Sequence, residues 1–228
     1  MKKHLTLVCI ALLSSGSFAK TVTNKSPVAD QVGYSFGYLM GRSNAETLKD
    51  IDIEAFIAGL KMATRDQAAS LSDEEMSRVL TQFKKQAEAK QLIELKKVAD
   101  NNAKIGEAFL NTNAKKAGVQ VTKSGLQYQV LQAGSGKSPK ATSTVKVHYE
   151  GRLIDGTVFD SSIARDQAAE FQVSQVIQGW TEGLQLMKEG GKATLYIPAK
   201  LAYGEQGVPG TIPPNSTLIF DVELLEVK

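Results

Sequence analysis

At 228 residues, 42% hydrophobic and 22% charged, the chain has the composition of an ordinary globular protein, long enough for one large or two small domains. Its 27 basic and 24 acidic residues leave a formal charge of +3, which gives no ground for nucleic acid or an anionic membrane as a partner. One cysteine and two histidines leave little for thiol or metal chemistry.

The first nineteen residues differ from the rest. Lys2 and Lys3 precede the apolar run Leu5 to Leu13, and Ser17-Phe18-Ala19 supplies small residues. This order predicts a secretory signal peptide over 1–19, cleaved after Ala19. The apolar run is too short to anchor in a hydrocarbon core, which needs about twenty residues. Cys9 lies inside the run and not after it, against lipid attachment, and no later segment is long enough to span a membrane. The expectation is export, to the periplasm or further to the outer membrane or cell surface. Cleavage removes Lys2, Lys3, His4 and Cys9, so 27 basic residues become 25 against 24 acidic ones, a charge of +1. A mature chain with no cysteine and only His148 excludes thiol catalysis, disulfide exchange and Cys- or His-rich metal sites. Neither metal nor cofactor is expected, and packing alone must hold the fold in an oxidising compartment.

Proline is absent between Pro27 and Pro139 but crowds the end at Pro198, Pro209, Pro213 and Pro214, so a helical half precedes a half of strands and loops. Ser26-Pro27 reads as N-cap and first helical residue, followed by Val32, Phe36, Leu39 and Met40 at helical spacing. Gly33, Gly37 and Gly41 bare one face of this helix. Each glycine costs a helix about 1 kcal/mol relative to alanine, and close approach of another helix is the compensation inferred. Asp52 caps a second helix bearing Ile53, Phe56, Ile57 and Leu60. Ser72 and Glu75 form a capping box, with Leu71 and Met76 at staple spacing. They open a long charged helix predicted from Asp73 to about Ala117, with Gly106 inside it and Gly118 just past its end. Its few apolar residues beyond Leu95 make it a spacer arm. Residues 26–70, roughly 45 in number, approach the size below which a core needs disulfides, metals or oligomerisation. With disulfides excluded and no metal expected, two chains are inferred to share one core as a homodimer.

After Gly118 the period becomes two. Leu126, Tyr128 and Val130 alternate with glutamines, and Val145, Val147 and Tyr149 with polar residues. Ala193, Leu195 and Ile197, and then Leu218, Phe220, Val222 and Leu224, repeat the pattern. These are half-buried antiparallel strands, and Trp180, Leu184 and Met187 predict one short helix across them. The fold class expected is α+β: a C-terminal antiparallel sheet wrapped around a short helix, preceded by an all-α region and a long linking helix.

Four separated motifs occur in order in this half: Val147 to Ser162, Gln175 to Leu184, Leu201 to Gly204, and Ile212 to Phe220. Together they resemble the FKBP family of prolyl isomerases over residues 120–228, and the full length resembles its macrophage-infectivity-potentiator-like bacterial group, which are exported dimers of this plan. The resemblance implies the organisation 1–19 signal peptide, 20–70 dimerisation region, 71–118 connecting helix and 119–228 isomerase domain. It implies a pocket whose catalytic residues are Tyr149, Phe159, Asp160, Ile177, Tyr203 and Phe220, with Arg165, Phe171, Val176, Trp180 and Ile212 binding substrate. Trp180 would be the floor, the Ile177 N–H and the Tyr203 hydroxyl would donate to substrate carbonyls, and Arg165 would pair with Asp160. Val208 departs from the polar residue common in the Pro-rich loop. Proline-containing unfolded or peptide substrates and macrolide inhibitors are the partners implied.

Read without the family, Tyr149, Phe220 and Trp180 are ordinary core residues and Asp160 can be a turn cap. His148 points away from Tyr149 as a solvated strand residue. A hydrolytic triad of His148, Asp160 and Ser161 fails, because adjacent acid and serine cannot both fill their roles and no nucleophile elbow is present. The loop from Pro198 to Ser216 lacks a periodic pattern and reads as functional. The alternative to an isomerase is a holdase-type chaperone that clamps unfolded chains between the arms of the dimer, with isomerisation secondary.

Overall fold

The computed structural model describes residues 21–228; the signal peptide expected over 1–19 lies outside them. By its contacts the chain divides after Ser77, and Arg78–Lys228 forms the larger unit.

The N-terminal unit contains α1 (Val28–Ser43), α2 (Ala45–Leu48) and α3 (Ile53–Ala63). Pro27, not Ser26, holds the N-cap position, and Ser26 Oγ instead accepts from the Thr23 N–H at 3.0 Å, so α1 starts one residue later than expected. Asp52 caps α3 by accepting from the Glu54 and Ala55 amides at 2.9 and 3.0 Å. None of the three helices buries a residue. Phe36 is 75% exposed, and a methyl group on Gly33, Gly37 or Gly41 would meet nothing within 4 Å.

The long helix α4 (Asp73–Asn113) opens on the capping box. The Glu75 amide donates to Ser72 Oγ at 3.2 Å, and the Ser72 amide returns a bond to the Glu75 carboxylate at 2.9 Å. The helix stops at Asn113 and not near Ala117. There the Leu110 carbonyl accepts both the Ala114 amide and the side-chain amide of Gln127, at 2.9 and 2.8 Å. Asn113, fully buried, donates to Gln127 Oε1 at 3.0 Å. These tertiary bonds outweigh the few tenths of a kcal/mol per residue by which propensity favours continuation. The expectation of a spacer arm does not extend over the whole of α4. Its second half packs on the strands, with Phe109 against Tyr196 at 6.0 Å and Gly106 buried beside Thr217. No described helix is long and apolar enough to cross a membrane.

The strands β1 (Val119–Val121), β2 (Gln127–Gln132), β3 (Thr144–Leu153), β4 (Val158–Ser161), β5 (Ala169–Gln172), β6 (Lys192–Ile197) and β7 (Leu218–Val227) form one antiparallel sheet. Their order is β1-β2-β6-β7-β3-β4, with β5 also pairing β3. Alternation sends Val145, Val147 and Tyr149 of β3, Leu218, Phe220, Val222 and Leu224 of β7, and Ala193, Leu195 and Ile197 of β6 into the core. β2 departs from its pattern, because Gln127 turns inward to bond α4 and Val130 is left exposed. The short helix α5 (Gln178–Gln185) lies on the inner face with Trp180 and Leu184 buried. A Cβ on Gly179 would sit 2.3 Å from Ile197 Cγ2, and one on Gly183 would sit 2.7 Å from Leu195 Cδ1. Glycine at these turns lets α5 seat directly on β6. Met187 lies just past its end and is still buried.

Candidate active site

A cavity of about 500 Å³ opens between α5, the inner face of the sheet and the loop before β7. β3 contributes Tyr149, β4 contributes Phe159 and Asp160, β5 contributes Phe171 and β7 contributes Phe220. Val176 and Ile177 line it from the turn into α5, Trp180 from α5 itself, and Tyr203 and Ile212 from the loop. Ten of the eleven residues singled out from the sequence thus line one cavity; the eleventh, Arg165, is not in the lining but bonds Asp160 and Tyr149, which are. Gln175, Val208 and Thr211 also line the cavity. No signal in the sequence distinguished Gln175 or Thr211, single polar residues in irregular segments.

The aromatic rings meet edge to face. Trp180 lies 5.2 Å from Tyr149 at 90° and 5.2 Å from Phe220 at 82°. Phe171 stands 5.5 Å from Trp180, and Phe159 is 5.5 Å from Phe220. Pairs of this geometry add about 0.5–1.5 kcal/mol each beyond the area they bury, so the cavity walls are stiff. Trp180 is only 4% exposed, which makes it the floor.

The polar side of the cavity is a three-residue network. The Tyr149 hydroxyl donates to Asp160 Oδ2 at 2.5 Å, and Arg165 donates to Asp160 Oδ1 at 2.5 Å and to the Tyr149 oxygen at 3.2 Å. The guanidinium also lies 6.0 Å from the Tyr149 ring centroid. Partial burial pulls the Asp160 carboxyl upward, but the hydrogen bonds from Tyr149 and Arg165 outweigh it and hold the group below the usual carboxylate range. Burial, and then the bond to Asp160, push the Tyr149 phenol above its ordinary value. Asp160 is therefore a carboxylate, and Tyr149 a neutral phenol, throughout the neutral range.

Three donors of the cavity lining have no acceptor among the described residues: the Ile177 N–H, at the residue preceding α5, the Tyr203 hydroxyl, and the buried indole N–H of Trp180. The loop carrying Val208 and Ile212 is a small hairpin. Val208 and Ile212 exchange backbone bonds of 2.8 and 2.9 Å around Pro209-Gly210, and Gly210 has φ +76°. Proline at the second position and glycine with positive φ at the third are what a type II turn demands.

His148 is not simply solvated, as expected. It is half-buried, with Nδ1 3.2 Å from Ser162 Oγ, and that oxygen also accepts from the Tyr149 N–H at 2.8 Å. Ser162 thereby fixes the backbone of Tyr149. Both Asp160 oxygens are taken by Tyr149 and Arg165, so Asp160 does not orient His148 and no triad forms.

An antiparallel sheet packed on one short helix, with an aromatic-walled cavity and unpaired donors on its lining, defines a binder of a compact apolar ring flanked by carbonyls. Family models agree. Residues 135–225 match that of the FKBP-type peptidyl-prolyl cis-trans isomerase, and residues 29–130 match that of the domain amino terminal to it. The peptidyl-prolyl cis-trans isomerase Mip of Coxiella burnetii is 44% identical over 99% of both chains. The FKBP-type isomerase FkpA of Aeromonas hydrophila is 47% identical, over 87% of this chain and 76% of its own. The crystal structure of FkpA from Escherichia coli superposes with a TM-score of 0.75 at 42% identity, covering 89% of this chain and 98% of that one. The chain belongs to the FKBP-type peptidyl-prolyl cis-trans isomerase family, and its reaction is rotation about Xaa-Pro peptide bonds.

Proposed function

We propose that the cavity around Trp180 is where rotation occurs, with the proline ring seated on the indole. The observation that carries this reading is that Ile177 N–H and Tyr203 O–H, unused by the protein, line a cavity whose walls are mainly aromatic. An Xaa-Pro bond favours trans by only about 0.5–1 kcal/mol, yet partial double-bond character raises a barrier of about 20 kcal/mol to its rotation. Rotation breaks no covalent bond, so no nucleophile is required. The planar amide is the charge-separated form, and the aromatic walls, which exclude water, stabilise it less than water does. As the bond twists, its carbonyl swings toward fixed donors, which bind the twisted form better than the planar one. A ten-thousand-fold acceleration needs about 5.5 kcal/mol, within reach of two well-placed hydrogen bonds and desolvation. Asp160 serves here through Tyr149 and Arg165, holding the phenol ring as a wall.

The same reading takes the substrates as proline-containing segments of exported proteins during folding, and macrolides as occupants of the same cavity. The N-terminal helices serve as a dimerisation region: helices that bury nothing of their own, with Phe36 and a glycine face open, are supported by a second copy. The test is isomerisation of a short Xaa-Pro peptide with and without a macrolide, monitored beside the emission of Trp180, the single tryptophan. Inhibition and a change in Trp180 emission should titrate together; inhibition without any change in Trp180 emission would place the reaction elsewhere.

A further inference from the structure

The hairpin that carries Val208 and Ile212 is a thin wall. On one side is the isomerase cavity, and on the other a cleft of about 530 Å³ separates it from Gln91, Leu95 and Val98 of α4. With space on both sides, the wall is held by the packing of Ile212 and Val208 on the core, by the Gly207 N–H donating to the Tyr203 carbonyl at 3.2 Å, and at its foot. The foot is Pro213-Pro214, two residues that have no N–H to donate, so their own backbone can bond only through its carbonyls, while Asn215, just beyond them, donates its side-chain amide to the Ala99 carbonyl of α4 at 3.4 Å. The Pro213 carbonyl accepts the Ser216 hydroxyl at 2.7 Å, a local bond within the same loop. The Pro214 carbonyl accepts the side-chain amide of Asn102 at 2.8 Å, from the middle of α4. The next residue, Asn215, closes the neck of the loop by donating its N–H to the Gly204 carbonyl at 2.8 Å. One turn further along α4, Gly106 lies so close to Thr217 that the helix cannot recede without opening a gap.

We propose that Asn102, outside the cavity and on a different element, is a positioning residue for the isomerase: by fixing Pro214 it sets where Ile212 and Val208 stand against the substrate. This rests on the cavity being the site of rotation. A wall of this kind contributes to binding ground state and transition state alike, so its loosening appears in KM more than in kcat. α4 then acts on the reaction without touching the substrate.

In the full-length chain, Asn102→Ala removes the amide and Asn102→Asp keeps the shape but cannot donate. Asn101→Ala, one residue away and exposed, is the control. Both Asn102 variants should raise KM for an Xaa-Pro peptide about threefold to tenfold, the range one net hydrogen bond supports, with kcat within about twofold of wild type. Acrylamide quenching of Trp180 should rise in both, because Ile212 lines the same cavity as the indole. A residue that merely docks the helix would lower the melting temperature and leave KM and quenching at control values when assayed well below it. That result overturns the inference. If Asp160→Ala and Tyr203→Phe lower turnover while the Asn102 variants match the control, only the role of α4 falls. If the pocket variants are also silent, the site itself falls, and the inference with it.

Discussion

Gly106 in α4 and Thr217 at the entrance to β7 approach so closely that a Cβ built on the glycine would lie 2.5 Å from Thr217 Oγ1. Glycine in a helix costs about 1 kcal/mol against alanine, so Gly106→Ala on a free arm would stabilise the chain. Here Thr217 is buried, and its β-branched side chain would have to shift to admit the methyl group. Gly106→Ala should destabilise by about 1–3 kcal/mol, the usual cost of overpacking. Adding Thr217→Ala should recover part of that loss. Denaturant midpoints of the two single variants and the double variant give the coupling directly.

A fragment beginning at residue 119 loses Asn113, Leu110 and Asn102, leaving Gln127 and the Pro214 carbonyl without their partners. It should be less stable by several kcal/mol than one beginning at residue 95, each broken buried bond costing about 1–3 kcal/mol. Urea unfolding of both fragments checks this; equal midpoints would mean that α4 contributes nothing to the sheet.

Within the cavity, Asp160→Ala leaves Tyr149 and Arg165 without their shared acceptor, and kcat/KM for a short peptide should fall about 10- to 100-fold, in keeping with the loss of hydrogen bonds to a charge. Tyr203→Phe, which deletes one donor, should cost about tenfold or less. His148→Ala should stay within about twofold, because Ser162 Oγ still accepts from Tyr149. Circular dichroism should be unchanged in all three.

Turnover should be flat between about pH 5 and 9. The Asp160 carboxyl has a folded value below its unfolded one of about 3.9. Its stabilisation is therefore fully present above pH 4 and is lost as pH falls through the depressed value. Tyr149 is raised above about 10, so its contribution is complete below pH 10 and is lost only as pH rises through the raised value. A bell-shaped rate profile centred near neutrality would show that some other group carries a proton in the reaction.

Phe36→Asp places a charge on the open face of α1. Light scattering should find a dimer for the wild-type chain and a monomer for the variant. Short peptides fill one pocket and should be turned over equally by both. A refolding protein reaching two pockets gains an intramolecular second contact, worth on the order of 10²-fold in apparent affinity, and the variant should lose most of that effect.

Local and periodic features were legible in the sequence. The caps at Asp52 and at Ser72 with Glu75 were readable because each bond joins residues two or three apart. The inward faces of β3, β6 and β7 were readable because a strand's period of two admits only two faces. The cavity residues followed from the resemblance of four motifs to a known family, since spacing alone left Tyr149, Trp180 and Phe220 as ordinary core. What the tertiary structure decided are bonds between residues far apart in the chain, for which no local spacing exists. Asn102 with Pro214, Asn113 with Gln127, and Gly106 beneath Thr217 turned half of an expected free arm into part of the isomerase unit. Each pair includes a polar or small residue that, on the helix alone, reads as one more solvated position or a breaker. Only burial against a partner more than ten residues away gives it a role, and that partner is named by the fold.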